Sequence, residues 1–155
     1  MESQYAIREA RNSDFDVLVE FTIQEATETE EVHPDSQAVA VGVGAGLDGS
    51  TPTTYWVAES DDGTVAGSIS IVTEWSNFRG GYYWWVQSLY ITPEHRGKGL
   101  AERLLAFVTK RARENGAIDL RLYVLHANQR AIAAYRQSGF EIAPYTIMVR
   151  HFDAK

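Results

Sequence analysis

The 155 residues fit one ordinary domain, and an apolar share of 45% with 12% aromatic residues is enough to fill a globular interior, which excludes disorder as the overall state. Fourteen basic against 21 acidic residues leave a formal charge of −7, a surface that repels nucleic acid and anionic membranes and mildly favours cationic small molecules. Cysteine is absent, so disulfides, thiolate metal sites and a cysteine-linked acyl intermediate are excluded.

Met1-Glu2-Ser3-Gln4 lacks the basic and apolar regions of a secretory signal. The longest apolar run, Ala38 to Leu47, is well short of the roughly 20 residues a spanning helix needs. A cytoplasmic, soluble protein is expected, with no nucleic-acid or membrane partner.

In chain order, Tyr5 to Glu9 can form a first strand. Asn12-Ser13-Asp14 offers N-cap side chains, with Ser13 and Asp16 resembling a capping box, and Phe15, Leu18, Val19 and Ala26 follow at helical spacing. The end of that segment is rich in glutamate, at Glu25, Glu28, Glu30 and Glu31. Pro34-Asp35 can start a second helix through Ala45, although its valines and glycines are poor helix formers and their alternation equally suits a strand. Thr53 to Glu59 is β-rich and ends in the turn signal Asp61-Asp62-Gly63, with Val65 to Glu74 as the partner strand. Arg79-Gly80-Gly81 turns the chain into a long aromatic strand, Tyr82 to Ile91, closed by Pro93.

From there the period changes to 3.6. Leu100, Leu104, Phe107, Val108 and Ala112 form an apolar stripe opposite charged residues, and Asn115-Gly116 stops the helix. Leu120 to Leu125 reads as a strand, Asn128 to Ser138 as a short helix, and two strand pieces surround Pro144, the second being Tyr145 to Phe152. The sum is an α+β chain, a mixed sheet flanked by helices, in a single domain spanning 1–155.

The chemistry-bearing segment is Leu89-Tyr90-Ile91-Thr92-Pro93-Glu94-His95-Arg96-Gly97-Lys98-Gly99-Leu100-Ala101. A strand ends, a loop with two glycines follows and an amphipathic helix begins. Unpaired N–H groups and the positive end of the helix dipole make such an opening turn a place for an anion, and glycines let it approach the backbone. Arg96, Lys98 and Arg103 add positive charge. A Walker site fails because Lys98 precedes Gly99, and a dinucleotide fingerprint fails because Glu102 stands at its third glycine. His33, His95, His126 and His151 are scattered without ligand spacing, so no metal site is expected.

Arg96-x-x-Gly99-x-Ala101 resembles the pyrophosphate-binding signature of the GNAT acetyltransferases. Asn128-x-x-Ala131-x-x-x-Tyr135-x-x-x-Gly139-Phe140 is similar to the family's other recurrent segment, and Glu74 to Tyr90 looks like a little-characterised subgroup of it. The resemblance implies a GNAT fold: a central mixed, mostly antiparallel sheet with splayed strands, flanked by about four helices. It implies an acyl-CoA-dependent N-acyltransferase that moves an acetyl group from acetyl-CoA, without a metal, to a primary amine of a small molecule by direct attack in a ternary complex. The contrasting reading is a non-catalytic acyl-CoA-binding sensor module. Resembling proteins are commonly dimers, so a homodimer is among the partners implied.

By position, the resemblance assigns backbone groups of Leu89, Tyr90 and Ile91 to the pantetheine arm and thioester carbonyl. The turn Arg96, Gly97, Lys98, Gly99, Leu100 and Ala101 would hold the pyrophosphate. Asn128 would cap the last helix and reach the cofactor. Tyr135 would be the general acid, since a phenol near ~10 can protonate a departing thiolate whose thiol has a pKa near ~8.5. The general base is the weak point, because Gln87 stands where some polyamine-acetylating relatives carry a glutamate and an amide cannot take a proton. Glu28, Glu30, Glu31 and Glu74 remain as candidates, with Glu28 or Glu74 preferred. Among Trp75, Phe78, Trp84 and Trp85, an aromatic wall could receive a cation, with Trp84 and Trp85 on opposite faces of their strand.

Overall fold

The computed structural model describes residues 4–152. They run as β1 (Tyr5–Glu9), a 3-10 turn (Asn12–Asp14), α1 (Phe15–Glu30), α2 (Ser36–Leu47), β2 (Thr53–Ser60), β3 (Val65–Ser76) and β4 (Gly81–Ile91). A second 3-10 turn (Pro93–His95), α3 (Leu100–Glu114), β5 (Leu120–Leu122) and α4 (Gln129–Gln137) follow. The chain forms two compact units that divide between Tyr123 and Val124.

In the first unit, β1 to β5 form one sheet in sequence order. The first three pairings are antiparallel and β4–β5 is parallel. This is the mixed, mostly antiparallel sheet anticipated from the sequence. Parallel neighbours cannot be joined by a hairpin, and α3 supplies the crossover. Because side chains alternate across a strand, β2 serves two layers. Tyr55 and Val57 pack with Leu18 of α1 and Val43 of α2. Trp56 points to the other face and meets Phe107 of α3, ring centroids 5.8 Å apart at 69°. Leu100, Leu104, Val108 and Ala112 are buried along α3, as its stripe predicts.

One local detail here differs from the sequence reading, and one open alternative is resolved. Ser13 and Asp16 form no capping box; the buried Asp14 carboxylate instead closes the 3-10 turn before α1, accepting the Arg11 N–H at 2.7 Å and two bonds from Arg8 at 2.8 and 3.1 Å. An ion pair to β1 outcompetes a solvent-side cap. The ambivalent segment after Pro34 is helical to Leu47, started by Asp35, whose side chain accepts the Gln37 N–H at 3.1 Å. Gly46 is a packing requirement: a Cβ there would lie 2.8 Å from Tyr55 Cε2.

The strand expected to reach Leu125 ends at Leu122, where its pairing with β4 stops. In the second unit, Asn128 Oδ1 accepts the Ala131 N–H at 3.1 Å and caps α4, and the chain turns at Gly139 (φ 99) with the Phe140 N–H on the Tyr135 carbonyl at 3.0 Å. The strand pieces expected around Pro144 are not formed among the described residues. Tyr145, Ile147, Met148, Val149 and Phe152 are exposed, so the period-two pattern has neither a ladder nor a buried face to stabilise it.

Candidate active site

Two irregularities in β4 shape its far end. The register with β3 shifts so that Ser70 faces Ser88 while Ile71 faces Val86, which leaves Gln87 as an unpaired bulge residue. On the other edge, pairing with β5 covers Trp84 to Val86 and goes no further. Beyond that point this edge of β4 has no strand partner among the described residues. The N–H of Leu89 bonds to neither neighbour; it donates to Glu25 Oε2 of α1 at 3.0 Å.

The chain then enters α3 through Pro93–His95 and two left-handed residues, Gly97 (φ 77) and Gly99 (φ 76). Side chains there would be strained by about 1 kcal/mol or more each. Gly99 is the N-cap of α3 and offers no side chain, so the first-turn amides have no side-chain cap. This turn, the end of β4 and one face of α1 enclose a cavity of about 360 Å³. Glu25, Glu28, Leu89, Tyr90, Arg96 and Gly99 are among its walls. Leu89 to Ile91 and all the expected cradle positions except Lys98 line this one space.

Arg96 is tied down rather than extended towards a ligand. Its Nε donates to the Ile91 carbonyl at 2.9 Å, its Nη2 to Glu28 Oε2 at 2.8 Å, and its guanidinium lies 5.4 Å from the Tyr90 ring centre. Tyr90 donates its hydroxyl to Glu28 Oε1 at 3.4 Å. Burial, and then the negative charge of Glu28, pushes the Tyr90 hydroxyl above its ordinary value. Glu28 is therefore paired with a cation and, at longer range, with a phenol.

Glu25 is different. Burial pushes its carboxyl up to about 7, against the lowering effect of the Leu89 N–H, and Glu30 raises it slightly further. Among the described residues no basic side chain pairs with it. Sequence reasoning passed over this residue as part of an acidic run. The available signal was phase: Leu18, Phe21, Glu25 and Glu28 fall on one stripe of α1, and Leu18 and Phe21 are buried.

A second cavity of about 310 Å³, lined by Val72, Glu74, Trp85, Val86, Gln87 and Tyr123, opens beside the bulge. Trp85 Nε1 donates to Glu74 Oε1 at 3.0 Å and stacks on Tyr123 with ring centres 4.5 Å apart at 24°. Of the expected aromatic wall, Trp85 lines this space; Trp75 instead packs against Tyr82 at 5.1 Å. Asn128 and Tyr135 lie in the second unit, where Asn128 caps α4 and the Tyr135 ring meets Phe140 edge-on at 5.8 Å. Among the described residues no group of acidic or histidine side chains could hold a metal, and no helix is long and apolar enough to cross a membrane.

Comparison with known proteins places the fold in a family. The acetyltransferase (GNAT) family matches residues 5–140. Streptothricin acetyltransferase of Streptomyces lavendulae is 36% identical over 85 residues, 55% of this chain and 43% of that protein. The L-amino acid N-acyltransferase MnaT of Escherichia coli is 26% identical over 137 residues, 88% of this chain and 80% of that protein. The match thus spans less than half of the first relative and most of the second. The crystal structure of a possible acetyltransferase from Clostridium difficile 630 superposes with a TM-score of 0.91 at 29% identity, covering 98% of this chain and all of that one.

Proposed function

Because the chain belongs to the acetyltransferase (GNAT) family, we propose that it is an acyl-CoA-dependent N-acyltransferase moving acetyl from acetyl-CoA to a primary amine of a small molecule. The observation that carries the reading is the single cavity joining the parted edge of β4 to the uncapped, glycine-entered first turn of α3. Acetyl-CoA, when bound, supplies the activated acetyl thioester. The residues fit it: two left-handed glycines expose the turn from Gly97 to Ala101 for a diphosphate, with Lys98 on the same loop for charge. Glu28 fixes the Arg96 guanidinium against Tyr90 and so shapes the wall between cradle and strand edge.

The second cavity, where the Glu74 carboxylate has one oxygen on Trp85 and another to offer beside stacked aromatic rings, can take a cationic end of the acceptor away from its reacting amine. Tyr135 is assigned as the proton donor to the departing thiol, on its place in the Asn128 to Phe140 segment. A phenol is a feasible proton donor to a departing thiolate.

Thermal unfolding with acetyl-CoA, ATP and NAD in turn tests the donor. Acetyl-CoA at about 100 times its dissociation constant should add roughly 2.7 kcal/mol. Stabilisation by ATP or NAD and not by acetyl-CoA refutes the reading. Turnover across a panel of primary amines separates an enzyme from a binding module. Tyr135→Phe should lower kcat by about 100-fold or more while leaving donor affinity intact; an unchanged kcat removes Tyr135 from the mechanism.

A further inference from the structure

We propose that Glu25 of α1 is the general base that takes the proton from the acceptor ammonium. This rests on the acyl-transfer reading and adds to it the residue that the Gln87 position withholds. An ammonium has no lone pair; one N–H bond must break, its electron pair staying on nitrogen and its proton passing to a carboxylate oxygen. The base must lie at the parted edge of β4, be ionised near neutral pH, and not already be neutralised by a cation.

The other carboxylates of the two cavities fail one of these conditions. Glu28 is held by Arg96 at 2.8 Å and by Tyr90. Glu74 accepts from Trp85 at 3.0 Å and belongs to the cavity beside the bulge. Glu102 lies on α3 at the cradle end. Glu25 alone places a carboxylate oxygen 3.0 Å from the Leu89 N–H, on the segment where pairing with β5 has ended.

The surroundings tune it. Glu28 and Glu30 on its own helix, Tyr55 on β2, Tyr90 on β4, His95 and Arg96 of the loop, and Glu102 of α3 are the titratable and charged groups around its cavity or coupled to it. Of these, Arg96 is already neutralised by Glu28. Burial therefore dominates, and the carboxyl sits at about 7, where a base is half ionised at neutral pH and holds a proton well enough to accept one. The proton it takes can leave to water through the open side of the cavity.

Glu25→Gln tests this, because glutamine keeps an oxygen for the Leu89 N–H. The acyl-transfer rate should fall about 100-fold or more, with the acetyl-CoA dissociation constant, measured by calorimetry, changed less than about threefold. The acid limb of the kcat/KM profile near pH 7 should vanish. In the protein without substrates, a carbon-13 side-chain carboxyl resonance absent from Glu25→Gln should titrate well above the other glutamates. Glu25→Asp, which keeps the carboxyl but draws it back, should retain part of the rate. If Glu25→Gln binds acetyl-CoA and turns over at the wild-type rate, Glu25 is not the base while the acyl-transfer reading stands. If the wild-type protein binds no acetyl-CoA, both fall together.

Discussion

Replacing Glu25 by glutamine removes an ionisable proton from a half-buried position while preserving an acceptor for the Leu89 N–H, so its effect on folding follows from the carboxyl's surroundings. The ordinary value is 4.5 and the folded value about 7. A difference of roughly 2.5 units corresponds to at most about 3 kcal/mol, and residual water contact reduces this to about 2 kcal/mol. The sign follows from proton counting. Below pH 4.5 the group is neutral in both states. Between that pH and about 7 the unfolded chain ionises while the folded protein keeps its proton. The folded state then binds more protons, so raising the pH destabilises it until the folded group also ionises. Urea unfolding of both proteins across about pH 4.5 to 8 should show wild type losing about 2 kcal/mol relative to Glu25→Gln, with the loss complete a little above pH 7. A stability difference that does not change with pH, or that rises, would mean that Glu25 is solvated like any surface glutamate, and the case for it as a tuned base would go with it.

Two further substitutions test the scaffold. Asp14→Ala strips Arg8 of a buried partner and the Arg11 N–H of its acceptor and should cost about 3 kcal/mol. Because Arg8 lowers the Asp14 carboxyl, that contribution is present above the ordinary carboxylate range and lost as pH falls through the lowered folded value; equal acid sensitivity in the variant would count against the assignment. Gly46→Ala gains helix propensity of about 1 kcal/mol but drives a methyl to 2.8 Å from the buried Tyr55 ring. A net loss of about 1–2 kcal/mol is expected by thermal unfolding, and a raised Tm would show that α2 can retreat from β2.

The sheet was legible because β2, β3 and β4 carry β-branched and aromatic runs divided by turn signals, and α3 because its apolar stripe repeats without interruption. Segment α2 was ambiguous for a physical reason: its glycines lower helix propensity locally, yet one of them, Gly46, is needed where Tyr55 and Thr53 approach. The turn into α3 could be read from Gly97 and Gly99 because positive φ leaves a direct mark on residue choice. Ion-pair partners leave no such mark. That Arg96 would fasten to Glu28, 68 positions away, and Leu89 to Glu25, 64 away, depends on how α1 lies along β4. The bulge that isolates Gln87 is equally silent, since it is a property of register between two strands.

The parted edge of β4 also explains why a carboxylate is tolerated in the apolar stripe of α1. Once pairing with β5 ends at Val86, the Leu89 N–H has no strand to receive it. An unsatisfied buried amide costs about 1–3 kcal/mol, so an apolar side chain at position 25 would exchange a desolvated carboxyl for an orphaned donor. Glu25 meets that requirement, at the expense of its own acidity. A ligand oxygen that takes over the Leu89 N–H would leave the carboxylate without the one bond that lowers its proton affinity. Its appetite for a proton would then rise at the moment an acyl group arrives. The same parting of strands that opens space for a substrate therefore creates the local shortage of hydrogen-bond acceptors that holds a base in place.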